Sequence, residues 1–153
     1  MLELPVPKFV AVESAALVIL AAGLLVFRTF RERYLLIWIL GWLAYFVSNW
    51  TIHHPGIDSA SHYAVAVSQS QFVLALCLFS AAVFVYSNAR KVLVPILAFS
   101  IAVTVFAAVR VLLWPDSFAL RVVLEVSYRI ITFGAALQLI RYRWARWEIG
   151  PWM

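Results

Sequence analysis

Leu120 to Thr132 reads LRVVLEVSYRIIT, which sets Arg121, Glu125 and Arg129 at i, i+4 and i+8 inside an otherwise apolar run. On a helix that spacing drifts only about 80° around the axis, so the three charges share one face, extended by Thr132 and Ala136. Two guanidinium groups around one carboxylate leave a positive charge to spare. Such a set can hold a small anionic or polar ligand, or it can bind neighbouring helices together through ion pairs and hydrogen bonds.

Other polar side chains stand in comparable places. Glu13, Asn49 and Arg110 each interrupt an apolar stretch, and SQSQ, Ser68 to Gln71, brings Gln69 and Gln71 together. Glu13 and Glu125 against Arg110, Arg121 and Arg129 again give one positive charge in excess.

The elements that must position these residues follow from composition. The 153 residues are 65% hydrophobic and 12% charged, and the mean hydropathy is +0.96; this composition belongs to membrane proteins. Five apolar stretches, about 9–27, 34–52, 63–86, 92–114 and 118–140, each approach the ~20 residues that cross a ~30 Å hydrocarbon core. Barrel strands are shorter and alternate in polarity, so continuous runs of this length predict helices. The expected fold is one all-α domain over 1–153, a bundle of five transmembrane helices with a basic tail from 141 to 153. MLELPVPKFV carries no basic run before its apolar segment, so the first stretch is expected to be a retained helix rather than a signal peptide.

Arginine and lysine set the orientation. Arg28, Arg31 and Arg33 occupy the first connection, Arg90 and Lys91 the third, and Arg141, Arg143 and Arg146 the tail, whereas HHPGIDSASH and PDS contain neither residue type. The alternation predicts an outside N-terminus, a cytoplasmic C-terminus and residence in a bacterial inner membrane. The net charge of +5 is then a topology signal and not a nucleic-acid footprint. Trp50, Tyr63 and Trp114 at one end, and Tyr34, Tyr86, Trp144 and Trp147 at the other, suit interfacial belts.

With a rise of 1.5 Å per residue from Phe118, Glu125 lies about 10 Å deep and Arg129 about 16 Å deep. Arg121 can snorkel to the interface, whereas Arg129 cannot reach it. A charge at that depth costs about 2.5–3.5 kcal/mol on insertion scales, so the sequence predicts that Arg129 turns towards the bundle and finds a partner there. Every expected helix adds a polar group to the outer half, which makes an outward-open pocket around Arg129, Glu125 and Gln71 one expectation. A purely structural ion-pair and amide network is the other.

Other chemistry is less well supported. His53, His54, Asp58 and His62 are ligand-type residues in one connection, but Pro55 and Gly56 separate them and their spacing fits no zinc or copper signature, so no metal or other cofactor is expected. Haem would require histidines within the helices. No H-E-x-x-H, G-x-S-x-G or glycine-rich phosphate loop occurs, so no enzymatic activity is expected. Cys77 is the sole cysteine, and an apolar filler role suits it. Trp114-Pro115-Asp116-Ser117 breaks the fourth helix from the fifth, with Asp116 or Ser117 available as a cap, and Pro95 is expected in the first turn of the fourth. An odd number of helices without broken centres does not suit a transporter built from two related halves.

FRTFRERYLLIWILGWLAYF, an arginine-rich connection followed by a helix with Trp38, Gly41 and Trp42 in a W-x-x-G-W core, resembles the second helix of membrane input domains of bacterial sensor histidine kinases and GGDEF diguanylate cyclases. LQLIRYRWARWEIGPWM is similar to the basic connection of those proteins. Together the two segments cover about a quarter of the chain. The resemblance implies a sensory module, usually dimeric, that passes a helix displacement to a cytoplasmic output domain. A phosphoacceptor histidine region and a GGDEF domain are both missing from this sequence. Two function classes therefore stand: a non-catalytic membrane signal-input domain with an outward-facing pocket for a small polar or anionic ligand, or a small accessory subunit packed against a larger membrane complex. The expected partners are the lipid bilayer and either a second copy or other membrane subunits, with no nucleic acid.

Overall fold

The computed structural model describes residues 6–53 and 61–149, with side chains described over 14–53, 61–89 and 91–144. Every element among them is helical: α1 (Val6–Phe30), α2 (Arg33–His53), α3 (His62–Tyr86), α4 (Arg90–Leu113) and α5 (Phe118–Ile149). Four helices are long and apolar enough to cross a membrane, and within α1 the described apolar portion, Ser14–Phe30, is shorter. These features are compatible with a multi-pass membrane protein.

The helices end where the backbone can turn. Arg31 takes a left-handed φ of 51°, and its N–H reaches the Phe27 carbonyl at 2.7 Å, closing α1 with a single left-handed residue. Asn88, with φ 54°, does the same after α3, where Ala89 N–H returns to Phe84 O at 2.9 Å in the paired-bond arrangement that left-handed asparagine supports. Of the two residues expected to cap α5, Ser117 does so: its Oγ accepts from Leu120 N–H at 3.4 Å. One expectation is corrected. Because α4 begins at Arg90, Pro95 is its sixth residue and lies inside the helix instead of in its first turn, where it has no N–H to give to the Lys91 carbonyl.

The centre of the bundle is α3. It packs against α2, α4 and α5, α4 also meets α5, and among the described residues α1 lies on α2 alone. Small side chains let these helices approach: Ala64, Ala66, Ser68, Ala75, Ser80, Ala81 and Ala82 are buried on α3, as are Gly41, Ala44 and Ser48 on α2, the pattern expected where helices pack within lipid. A Cβ on Gly41 would come within 2.7 Å of Phe79, so the α2–α3 approach depends on its absence. Val73, Cys77, Val103, Ala107, Leu124 and Ile131 form the core shared by α3, α4 and α5. Large apolar side chains such as Leu25, Val94, Ile101 and Phe133 point outward, a surface suited to hydrocarbon rather than water.

Candidate functional site

α2 and α5 both flank α3 but, among the described residues, do not pack on each other, so a cleft remains between them. At the His53 and His62 end it widens to about 340 Å³, lined from α2 by Tyr45, Ser48, Asn49, Ile52 and His53, from α3 by Ser68, Gln69, Phe72 and Val73, and from α5 by Arg121, Leu124, Glu125 and Tyr128. The lining follows the helical period. Tyr45, Ser48, Asn49 and Ile52 are spaced i, i+3, i+4, i+7, as are Arg121, Leu124, Glu125 and Tyr128, so each helix gives one face.

Hydrogen bonds fix the walls. Ser48 Oγ donates to the Ser68 carbonyl at 2.9 Å and lies 3.1 Å from Ser68 Oγ, joining α2 to α3 beneath the polar groups. Asn49 Nδ2 donates to the Tyr45 carbonyl at 3.0 Å within its own helix, which leaves the side-chain oxygen as an unspent acceptor among the described residues. Phe72 and Tyr128 meet edge to face at 6.4 Å, closing α3 against α5.

The charges expected on one face of α5 do share it. Glu125 lies 3.8 Å from Arg121 Nε and 3.1 Å from Arg129 Nη2. Arg121 and Glu125 line the cleft. Arg129 does not, and its side chain is 70% exposed, contrary to the expectation that it turns inward. The reason lies in the packing of α5: Leu124, Ile131 and Ala135 form its buried stripe, and the charged face stands to the side of that stripe.

The buried arginine is instead Arg110, 4% exposed in the last turn of α4. Its Nη2 donates to Gln69 Oε1 at 2.9 Å and its Nη1 reaches the Pro115 carbonyl at 3.5 Å, while Nε is buried without a partner. Among the described residues no carboxylate lies within 4.0 Å of it. The carbonyl end of α4 offers it partial negative charge. Asn49, Gln69, Arg121 and Glu125 are thus gathered at the cleft, with Arg110 behind it. Gln71 does not line it, and the side chain of Glu13 lies outside the described ones.

Of the ligand-type residues, His53 lines the cleft, His62 is exposed, and His54 and Asp58 lie outside the described residues. Among the described residues no three histidine, cysteine or acidic side chains are placed to share a metal ion. Cys77 is buried in the core.

A second crevice, at the opposite end of the bundle, is lined by Phe30, Arg31, Glu32, Arg33, Tyr34, Val85 and Tyr86. Of the basic residues expected to mark one membrane surface, Arg31 and Arg33 line this crevice, and Arg28, Lys91, Arg141 and Arg143 are exposed. The side chains of Arg90 and Arg146 lie outside the described ones. Tyr86 stacks edge to face with Tyr34 at 5.1 Å and with Tyr142 at 5.3 Å, joining α2, α3 and α5 below the cleft.

Tyr45, Ile52, Phe72, Val73, Leu124 and Tyr128 were not anticipated as site residues from the sequence. For Tyr45, Ile52, Leu124 and Tyr128 the signal is the i, i+3, i+4, i+7 spacing around Asn49 and Glu125, which by itself does not say which face turns inward, and Phe72 and Val73 stand one turn beyond Ser68 and Gln69 on α3. No known protein family, curated protein or solved structure matches the chain.

Proposed function

We propose that the chain is a non-catalytic signal-input domain of a bacterial inner membrane, with its N-terminus outside, its C-terminus cytoplasmic and its cleft open to the outside. The cleft binds a small polar or anionic ligand. One observation carries this reading: three helices contribute polar side chains to one cleft between α2 and α5, two helices that do not pack on each other among the described residues. A ligand lodged there has leverage on α5, a 32-residue helix that continues beyond the cleft and can carry a displacement to the basic end. The likeness of Phe27–Phe46 and of the basic close to sensor input domains points the same way.

Spin labels at Leu36→Cys and Leu139→Cys, in a Cys77→Ala background, test the reading. Both native side chains are exposed, on α2 and α5 respectively. Two distance populations are expected, with their ratio shifted by Arg121→Gln or Glu125→Gln. A single distance unmoved by either substitution overturns the reading.

The outward Arg129–Glu125 pair supports a second reading, an accessory subunit. An ion pair on a lipid-facing surface is costly, and a neighbouring subunit or an anionic headgroup would cover it. Purification in mild detergent is then expected to bring partners at fixed stoichiometry, and a homogeneous monomer or dimer counts against it.

A further inference from the structure

The donors and acceptors around the cleft do not cancel. Arginine carries only donors, so Gln69 must turn its oxygen to Arg110, and its amide NH₂ is the group left for the cleft. Arg121 touches Glu125 only through Nε at 3.8 Å, longer than a hydrogen bond, and the other Glu125 oxygen is taken by Arg129. The terminal guanidinium nitrogens of Arg121 are therefore unspent among the described residues. Behind Gln69 stands the buried charge of Arg110, with no carboxylate beside it among those residues. Against these donors stand the Asn49 side-chain oxygen and the Glu125 carboxylate, whose charge Arg129 already offsets, so the charges of Arg121 and Arg110 leave the cleft net positive and favour an anion.

The deeper lining has the opposite character. Tyr128 lies two turns below Arg121, about 10 Å along the axis, and with Tyr45, Phe72 and Val73 it makes the lower part of the cleft aromatic and aliphatic. A bare inorganic anion would leave this surface in contact with water, and a plain hydrocarbon would strand the Gln69 and Arg121 donors. A molecule with a charged head and an apolar body satisfies both, and about 340 Å³ falls within the usual range of small-molecule sites.

We infer that the cleft recognises an amphiphilic anion, a phosphate or carboxylate head on an apolar group. Arg121 and the Gln69 amide hold the head, Arg110 acts as the positioning residue that orients Gln69, and Tyr45, Phe72 and Tyr128 receive the apolar group. This deepens the input-domain reading and rests on the cleft being its ligand site.

The test uses the full chain in phosphatidylcholine nanodiscs, titrated with hexyl phosphate, inorganic phosphate and hexanol. Hexyl phosphate is expected to bind more tightly than either of the others. Arg121→Gln is expected to weaken it by about tenfold or more, the loss of one charge-assisted contact. Gln69→Glu, which gives Arg110 a carboxylate and turns that charge against the head, is expected to do the same. Arg110→Met separates positioning from folding: it is expected to reduce hexyl phosphate affinity while leaving hexanol affinity unchanged. A wild type that binds no hexyl phosphate, binds inorganic phosphate or hexanol equally well, or is indifferent to Arg121→Gln overturns the inference. An Arg110→Met variant that loses hexanol and hexyl phosphate affinity alike overturns the positioning role.

Adding phosphatidic acid to the nanodiscs distinguishes the two sources of such a head. Competition with hexyl phosphate assigns the site to a membrane lipid, and its absence assigns it to a freely diffusing amphiphile; both support recognition of head and tail. If hexyl phosphate binds but the α2–α5 label distance does not change, the input-domain reading fails and this inference stands. If the label distance has two populations and no probe binds, the reverse holds.

Discussion

Arg110 and Gln69 meet 2.9 Å apart although 41 residues separate them in the chain, and the contact fixes which end of the Gln69 amide faces the cleft. An arginine that is 4% exposed and has only neutral acceptors is a costly feature in an apolar bundle. Its charge is shared between a side-chain oxygen on α3 and the carbonyl of Pro115 just beyond α4.

Removing only the acceptor leaves the cation stranded. Gln69→Leu is therefore expected to destabilise the bundle by about 1–3 kcal/mol, the cost of an unsatisfied buried donor. Arg110→Met fills similar volume without charge, so the double variant Arg110→Met/Gln69→Leu is expected to recover most of that loss. Thermal unfolding in one detergent across the four proteins of the cycle gives the coupling. Additive losses would mean that the two side chains do not share the contact.

Glu125 stands between two largely exposed arginines, of which Arg121 lines the cleft and Arg129 does not. Glu125→Gln releases Arg121 and is expected to raise hexyl phosphate affinity by about two- to fivefold, in line with the weight of an exposed ion pair. Arg129→Leu returns Glu125 to Arg121 and is expected to lower the affinity by about the same factor. Opposite signs from the two variants are the diagnostic result in a titration. Equal and large losses from both would place Arg129 in direct contact with the ligand.

Much of this arrangement was legible before any coordinates. Apolar runs of about twenty residues pointed to an all-helical chain, and the i+4 spacing put Arg121, Glu125 and Arg129 on one face, because both depend only on local geometry. The direction of that face was not legible. It follows from Leu124, Ile131 and Ala135 packing towards the bundle, and in a chain this apolar the charged face of a helix does not by itself say which of its remaining apolar residues turn inward. Arg110 was readable as a polar group at the right end of its helix. Its burial and its link to Gln69 were not, because they depend on how α3 and α4 pack across a long sequence separation.

Two glycines mark the difference between close packing and open space. A Cβ on Gly41 meets the Phe79 ring at 2.7 and 2.8 Å, whereas one on Gly134 meets nothing within 4 Å. Phe79 is itself held against Trp42, with ring centres 5.4 Å apart, so it cannot yield freely. Gly41→Ala is expected to cost about 1–3 kcal/mol through overpacking. Gly134→Ala is expected to be neutral or to stabilise by about 0.4–1 kcal/mol through the unfolded chain. Unfolding midpoints in mild detergent should move in opposite directions, and a loss at Gly134 comparable to that at Gly41 would indicate that another chain packs on the open face of α5.

Tyr86 is the joint between the cleft and the basic end. Its ring meets Tyr34 of α2 and Tyr142 of α5 at 5.1 and 5.3 Å, so three helices that part around the cleft are drawn together again below it. Each edge-to-face pair contributes about 0.5–1.5 kcal/mol beyond area burial, enough to restrict the lower part of α5 without locking it. Tyr86→Ala removes both pairs at a site remote from the cleft lining and is expected to leave hexyl phosphate affinity unchanged. It is also expected to broaden the distance distribution between labels at Leu36→Cys and Leu139→Cys, because the aromatic bridge from α2 through α3 to α5 at this end is lost. Tyr86→Phe keeps the rings and should keep the native distribution. If Tyr86→Ala leaves the distribution as narrow as in the parent protein, the tyrosine cluster does not hold α5, and a displacement at the cleft must reach the basic end along the helix alone.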